Sequence, residues 1–248
     1  MKSLFRILLA PCISMSLAGC FEATEDIVIR KDGTALVEFE VTFTGSMALI
    51  AGSLDESMRD PFGDASGVIG DLKAQPGVSK AKYGESKKGS SRVHRLTVEL
   101  DDYRGLPQVS EILMRYQRDA VVESTFMVQS VGPTQGRVTQ RLVGRNVEIS
   151  VPTHLQGMPV APMVQGKKGE AREYLAGRLR DRYIFVTLRA PSIGDHNGKL
   201  DESGSVVSWD VPLSALVGSP GRAYDLAADV SLVGNERPLW KRLIFFWK

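Results

Sequence analysis

Between Ala35 and Phe43 the chain alternates. Ala35, Val37, Phe39, Val41 and Phe43 fall on one side, and Leu36, Glu38, Glu40 and Thr42 on the other. A period of two sends successive side chains to opposite faces of a strand, so this segment buries one face and leaves the other to water. Just upstream, Ile27, Val28 and Ile29 read as a second strand. Lys31-Asp32-Gly33 between them is a turn signal, with a glycine free to take positive φ. Together these residues predict an amino-terminal β-hairpin. A fold that starts this way needs further strands beside the hairpin and a layer to cover its apolar face.

The rest of the chain supplies candidates for both. Met47, Leu49, Ile50, Leu54 and Met58 have helical spacing, ended by Pro61-Phe62-Gly63-Asp64. Val68, Ile69 and Leu72 suggest a second short helix, stopped at Pro76-Gly77. Residues 78–83 and 93–100 read as strands around the polar turn Lys87-Lys88-Gly89-Ser90-Ser91. Pro107 suits a helix start, and Val109, Ile112, Leu113 and Tyr116 line one helical face. Residues 121–131 and 138–151 read as two strands. Residues 154–168, rich in Gly, Pro and Met, read as a loop or interdomain connection. A short helix over 170–181 then precedes strands at 183–188, 205–211 and 224–233. Residues 190–198 form a loop, and 212–217 a connecting segment. Strand runs mixed with separate helices predict an α+β fold, mainly antiparallel sheet with two to four helices.

Ahead of this domain stands an export signal. Lys2 and Arg6 are followed by an apolar run from Ile7 to Leu17, too short to span a bilayer, which takes about 20 residues. It ends in Leu17-Ala18-Gly19-Cys20, the pattern of a lipobox: an aliphatic residue, two small residues that fit a narrow protease site, and a thiol to take up diacylglycerol. Cleavage before Cys20 removes 19 of the 248 residues and leaves 229. Cys12 goes with the signal and Cys20 carries lipid, so the mature chain has no cysteine left for a disulfide, a metal or catalysis. Two acyl chains suffice for stable anchoring. Position 21 is Phe rather than the Asp of many inner-membrane lipoproteins. In a Gram-negative cell this points to the outer membrane.

Of 31 basic and 29 acidic residues, Lys2 and Arg6 leave with the signal, so the mature chain carries 29 of each. It lacks the excess of Lys and Arg that binding to nucleic acid needs. His94, His154 and His196 are not spaced as metal ligands, and Asp195, His196 and Asn197 alone do not make a site. Neither a G-x-S-x-G elbow nor a phosphate-binding G-x-x-x-x-G-K-[ST] is present. Asp101-Asp102 and Asp55-Glu56 read as solvated surface. Lys80, Lys82, Lys87, Lys88, Arg92 and Arg95 make a basic hairpin, open to anionic head groups or simply to water. Pro238 to Lys248 is aromatic and basic. Trp240, Lys241, Arg242, Phe245, Phe246 and Trp247 would suit a water–bilayer interface, while Leu243, Phe245 and Trp247 could equally form one face packed into the domain.

The segments Val186-Thr187-Leu188-Arg189-Ala190-Pro191-Ser192-Ile193, Asn197-Gly198 and Val206-Val207-Ser208-Trp209-Asp210-Val211-Pro212-Leu213, with the lipidated cysteine and the Asp26-Ile27-Val28-Ile29 and Lys31-Asp32-Gly33-Thr34 start, resemble the LppM-type lipoprotein domain family. The sequence departs from that pattern at Ser192, where a glycine often follows the proline, and has no transmembrane helix after the domain. The resemblance implies a membrane-anchored β-rich domain with a cell-envelope role and lipid binding. The expected organisation is a signal peptide at 1–19, a lipidated tether at 20–25, an α+β domain at 26–234 with a candidate sub-boundary at 152–169, and a membrane-proximal tail at 235–248. The expected function is non-catalytic: a lipid-anchored envelope protein facing the periplasm or the exterior. It would need no cofactor and would bind the membrane through Cys20, with a lipid or envelope-protein partner; the alternative is a structural or assembly subunit of an envelope complex.

Overall fold

The computed structural model describes residues 21–44, 64–89, 91–117, 120–146, 172–173, 176–177 and 179–234. The signal peptide with Cys20, the helix expected over 45–59, the 152–169 boundary with His154, and the carboxy-terminal tail lie outside the described residues.

The hairpin forms as the alternation predicts. β1 (Phe21–Ile29) pairs antiparallel with β2 (Ala35–Phe43), with Ile27 opposite Val37. Gly33 turns the chain at φ +87, and Asp32 accepts hydrogen bonds from the Thr34 backbone N–H and hydroxyl. One expectation is corrected here. Residues 22–25 are not a free tether: β1 runs back to Phe21, and Glu22 to Glu25 are paired with Thr42 to Phe39.

β3 (Val78–Lys88) and β4 (Ser91–Leu100) form the second hairpin, and β4 lies against β2. β5 (Val122–Ser130) and β6 (Gln135–Gly144) form the third. The chain then returns as β7 (Tyr183–Arg189), which pairs with β1 in parallel, against the otherwise antiparallel pattern. β8 (Ser192–His196), β9 (Lys199–Leu200), β10 (Val206–Pro212) and β11 (Ala223–Ser231) follow. The order is β3-β4-β2-β1-β7-β10-β9 in a seven-stranded sheet and β5-β6-β11-β8 in a four-stranded one. The α+β reading holds. The loop expected over 190–198 is corrected, since Ser192 to His196 pairs with β11 at the edge of the smaller sheet.

Three helices complete the described fold. α1 (Ala65–Ala74) is capped by the Asp64 carboxylate, which accepts from Gly67 N–H, and buries Val68 and Leu72. α2 (Leu106–Tyr116) carries Pro107 in its first turn and buries Leu106, Val109, Ile112 and Leu113, the face the sequence suggests. α3 (Leu213–Gly218) occupies the segment expected to be a connector. α1 packs beside β3, α2 beside β5, and the two helices touch. Ser110 ties α2 down, since its hydroxyl donates to Pro107 O and accepts the Phe126 N–H of β5.

The two sheets share one core. Ile27, Val37, Leu96, Val98, Val186, Leu188 and Val207 fill it from the larger sheet, and Phe126, Val138, Leu142, Leu226 and Val230 from the smaller. At one side Asn197 locks the layers. Its Oδ1 accepts from Trp209 Nε1 of β10 and from the Ala227 N–H of β11, both at 2.9 Å, while its Nδ2 donates to Asp225 O. Gly198 lies against the Trp209 ring, where a Cβ would meet Nε1 at 2.6 Å. The Asn-Gly…Trp pattern is thus a structural clamp between the sheets.

Candidate functional site

The strand register aligns four strands at the end of the large sheet where β1 begins. Phe21 pairs with Phe43, and Phe43 with Arg92, which in turn faces Lys87. On the outer, solvated face at this end is a cavity of about 350 Å³. Glu22, Thr24, Glu40 and Thr42 line it from β1 and β2, and Lys88, Ser91 and Val93 from the β3–β4 hairpin. Among the described residues Val93 is the single apolar side chain of this lining, and the others offer hydrogen bonds and charge. Glu40 is held by Arg95, whose Nε donates to it at 3.0 Å. Glu22 and Lys88 are in no ion pair among the described residues.

Beside this cavity, Tyr183 and Phe185 stand on the outer face of β7, 37% and 39% exposed, with ring centroids 6.0 Å apart. Phe185 pairs in register with Thr24, which puts the rings next to the β1 side of the cavity. The two aromatic rings thus stand two positions apart on a solvated face and not in the core.

The opposite face of β1 holds a second anomaly. Alternation puts Glu25 in phase with Ile27 and Ile29, and it is buried in the core at 5% exposure. Its Oε2 accepts from Gln140 Nε2 of β6 at 2.7 Å, and the same amide nitrogen donates to Ser124 Oγ at 2.8 Å. Both amide hydrogens are then used, and Glu25 Oε1 and Gln140 Oε1 are left buried with no partner. Burial pushes the Glu25 carboxyl up to about 8, against the lowering effect of the Gln140 hydrogen bond. At neutral pH the group therefore keeps its proton. It joins the two sheets from within and is shut off from solvent.

The residues singled out in the sequence separate as follows. Cys20 and the tail set of Trp240, Lys241, Arg242, Phe245, Phe246 and Trp247 lie outside the described residues. His94 is buried on the inner face of β4, with Nδ1 2.7 Å from the Tyr83 hydroxyl and its ring edge-on to Phe43. His196 sits on β8 with Nδ1 3.1 Å from Gly198 O. Asp102 caps the turn before α2, accepting from Arg104 N–H, so that carboxylate has a local structural job. Among the described residues no three His, Cys, Asp or Glu side chains converge as a metal site. Of the basic hairpin, Lys80 pairs with Glu99, Arg92 with Glu85 and Arg95 with Glu40, which leaves Lys82, Lys87 and Lys88. The Lys80 hydrogen bond holds the Glu99 carboxyl below the usual range. Half of the basic patch is therefore spent within the sheet. Glu22 and Glu25 were missed as site residues because a polar stretch after a lipid anchor reads as tether. Carrying the alternation of Ile27 and Ile29 back two positions would have found Glu25.

Among described residues no helix is long and apolar enough to cross a membrane. No protein-family model and no curated protein sequence matches this chain. Among solved structures, the NMR structure of the folded domain of the Mycobacterium tuberculosis LppM protein is similar to it over 86% of this chain and 90% of that one, at 12% identity and a TM-score of 0.47.

Proposed function

We propose that this chain is a lipid-anchored cell-envelope protein whose α+β domain is non-catalytic and binds a lipid or protein partner at the membrane. The observation that carries the reading is the start of β1 at Phe21, the residue after Cys20. With no tether between them, a diacylglyceryl group on Cys20 holds the end of the seven-stranded sheet at the bilayer surface. The cavity and the Tyr183–Phe185 pair lie at that same end. The domain faces the periplasm or the exterior, on the outer membrane if the cell is Gram-negative. The non-catalytic part of the reading draws on Glu25, an acid with a raised pKa that is turned into the core where no substrate reaches it.

The structural-subunit alternative draws on a different surface. Met127 of β5 is 51% exposed and Val131 after it 70%, an apolar tip on the smaller sheet that a protein partner could cover.

The test is fractionation of cells expressing the wild type and Cys20→Ser, with mass spectrometry of the amino-terminal peptide. The wild type is expected in the membrane fraction with an acylated cysteine, and the variant unacylated and released from lipoprotein sorting. A wild-type Cys20 that carries no lipid overturns the proposal.

A further inference from the structure

We infer that the outer-face cavity is a binding site for the head group of a zwitterionic phospholipid, with the phosphate toward Lys88 and the ammonium toward Glu22 and the Tyr183–Phe185 rings. The inference rests on the anchored reading above and specifies the ligand class of that end of the sheet.

The lining sets the chemistry. Lys88 and Glu22 share the cavity yet make no ion pair among the described residues. Their strands are separated by β4 and β2, so their backbones are three strand spacings apart, about 14 Å. Each thus remains available, one cation at the hairpin side and one carboxylate at the β1 side. A purely anionic head group would meet Glu22 as well as Lys88, and a purely cationic one would meet Lys88. A ligand with both charges, laid across the strands, satisfies both. An ammonium-bearing lysine is a point-charge partner for phosphate, and an ammonium next to exposed aromatic rings gains further attraction from their faces. Between the two ends the hydroxyls of Thr24, Thr42 and Ser91 can donate to phosphate oxygens or accept from an ammonium.

Among the described residues Val93 is the one apolar side chain of the lining, beside two carboxylates, an ammonium and three hydroxyls, so the polar head group is seated here and the acyl chains outside. They must remain in a bilayer, and the cavity lies near the end of the sheet where β1 begins, one residue after Cys20 in the sequence. A volume of about 350 Å³ lies at the small end of the range for ligand sites. That suits a head group rather than a whole lipid.

The test titrates the full-length chain, purified in detergent from its own membrane, with dihexanoyl-phosphatidylethanolamine and, separately, dihexanoyl-phosphatidylglycerol, read by calorimetry. The ethanolamine lipid should saturate and bind about fivefold tighter than the glycerol lipid. Lys88→Glu should weaken ethanolamine-lipid binding about tenfold, the loss of one charge-assisted contact. Glu22→Gln should level the two lipids. Both positions are on the solvated face, and matching thermal unfolding of the variants confirms that the fold is intact. Equal binding of the two lipids, no saturable binding of either, or an unchanged affinity in Lys88→Glu overturns the site. The mass at Cys20 in the same preparation reports the anchor separately. A lipidated chain without head-group preference sinks this inference alone, and an unlipidated one sinks the anchor.

Discussion

Replacing Glu25 with glutamine should change how stability depends on pH more than it changes the structure. In the folded chain Glu25 titrates at about 8, against 4.5 when exposed. Below the lower value both folded and unfolded states hold the proton, and the contact contributes fully. Between the two values the unfolded chain is ionised and the folded chain is not. Unfolding then releases a proton, and stability falls as pH rises, by about 1.4 kcal/mol per unit. Above about 8 the folded acid ionises as well and the loss levels off. Over the three units from about pH 5 to pH 8 the wild type should lose about 4 kcal/mol from this group alone. Glutamine has the same shape and never ionises. Its Nε2 can donate to Gln140 Oε1, the acceptor now left bare, while its Oε1 accepts from Gln140 Nε2 as the carboxyl does. The assay is urea unfolding of both proteins at about pH 5, 6.5 and 8. Other titrating groups are common to both and cancel in the difference. The advantage of Glu25→Gln should grow by about 4 kcal/mol across the series. Parallel curves would show that Glu25 is already ionised in the native protein, and the reasoning from burial would be wrong.

Two further predictions follow from the edge elements. Asn197→Ala strips the acceptor from both Trp209 Nε1 and Ala227 N–H, so it should cost about 2–4 kcal/mol in denaturant unfolding, and a loss under about 1 kcal/mol would show that the clamp does not hold the sheets. Asp201 accepts from the Ser203 hydroxyl and from the Ser205 and Val206 N–H groups, which pull its carboxyl down to about 2. This group's part in holding its turn is therefore fully present above its ordinary range and lost as pH falls from there through about 2, and a carboxyl-carbon NMR titration with a midpoint near 4 would contradict it.

Local pattern determined a large share of this fold. The alternation of Ala35 to Phe43 fixed which face of β2 is buried, because a strand has only two faces and one was apolar. The glycine of Lys31-Asp32-Gly33 placed the turn, and Pro107 with the spacing of Val109, Ile112 and Leu113 placed α2. Each of these signals is carried by residues within one turn or one strand of each other.

What the sequence could not decide depended on partners far along the chain. Ser192 to His196 looks polar and looped, and becomes a strand only because β11 offers backbone groups for it to pair with. Glu25 looks like tether, and is core because the parallel return of β7 closes the sheet over β1 and β6 brings Gln140 beneath it. The cavity joins residues from 22 to 93, which the register of four strands sets side by side. Periodicity reports which face a side chain takes. Only the assembled sheets decide what that face meets, since strand pairing is made by backbone hydrogen bonds that carry no side-chain signature.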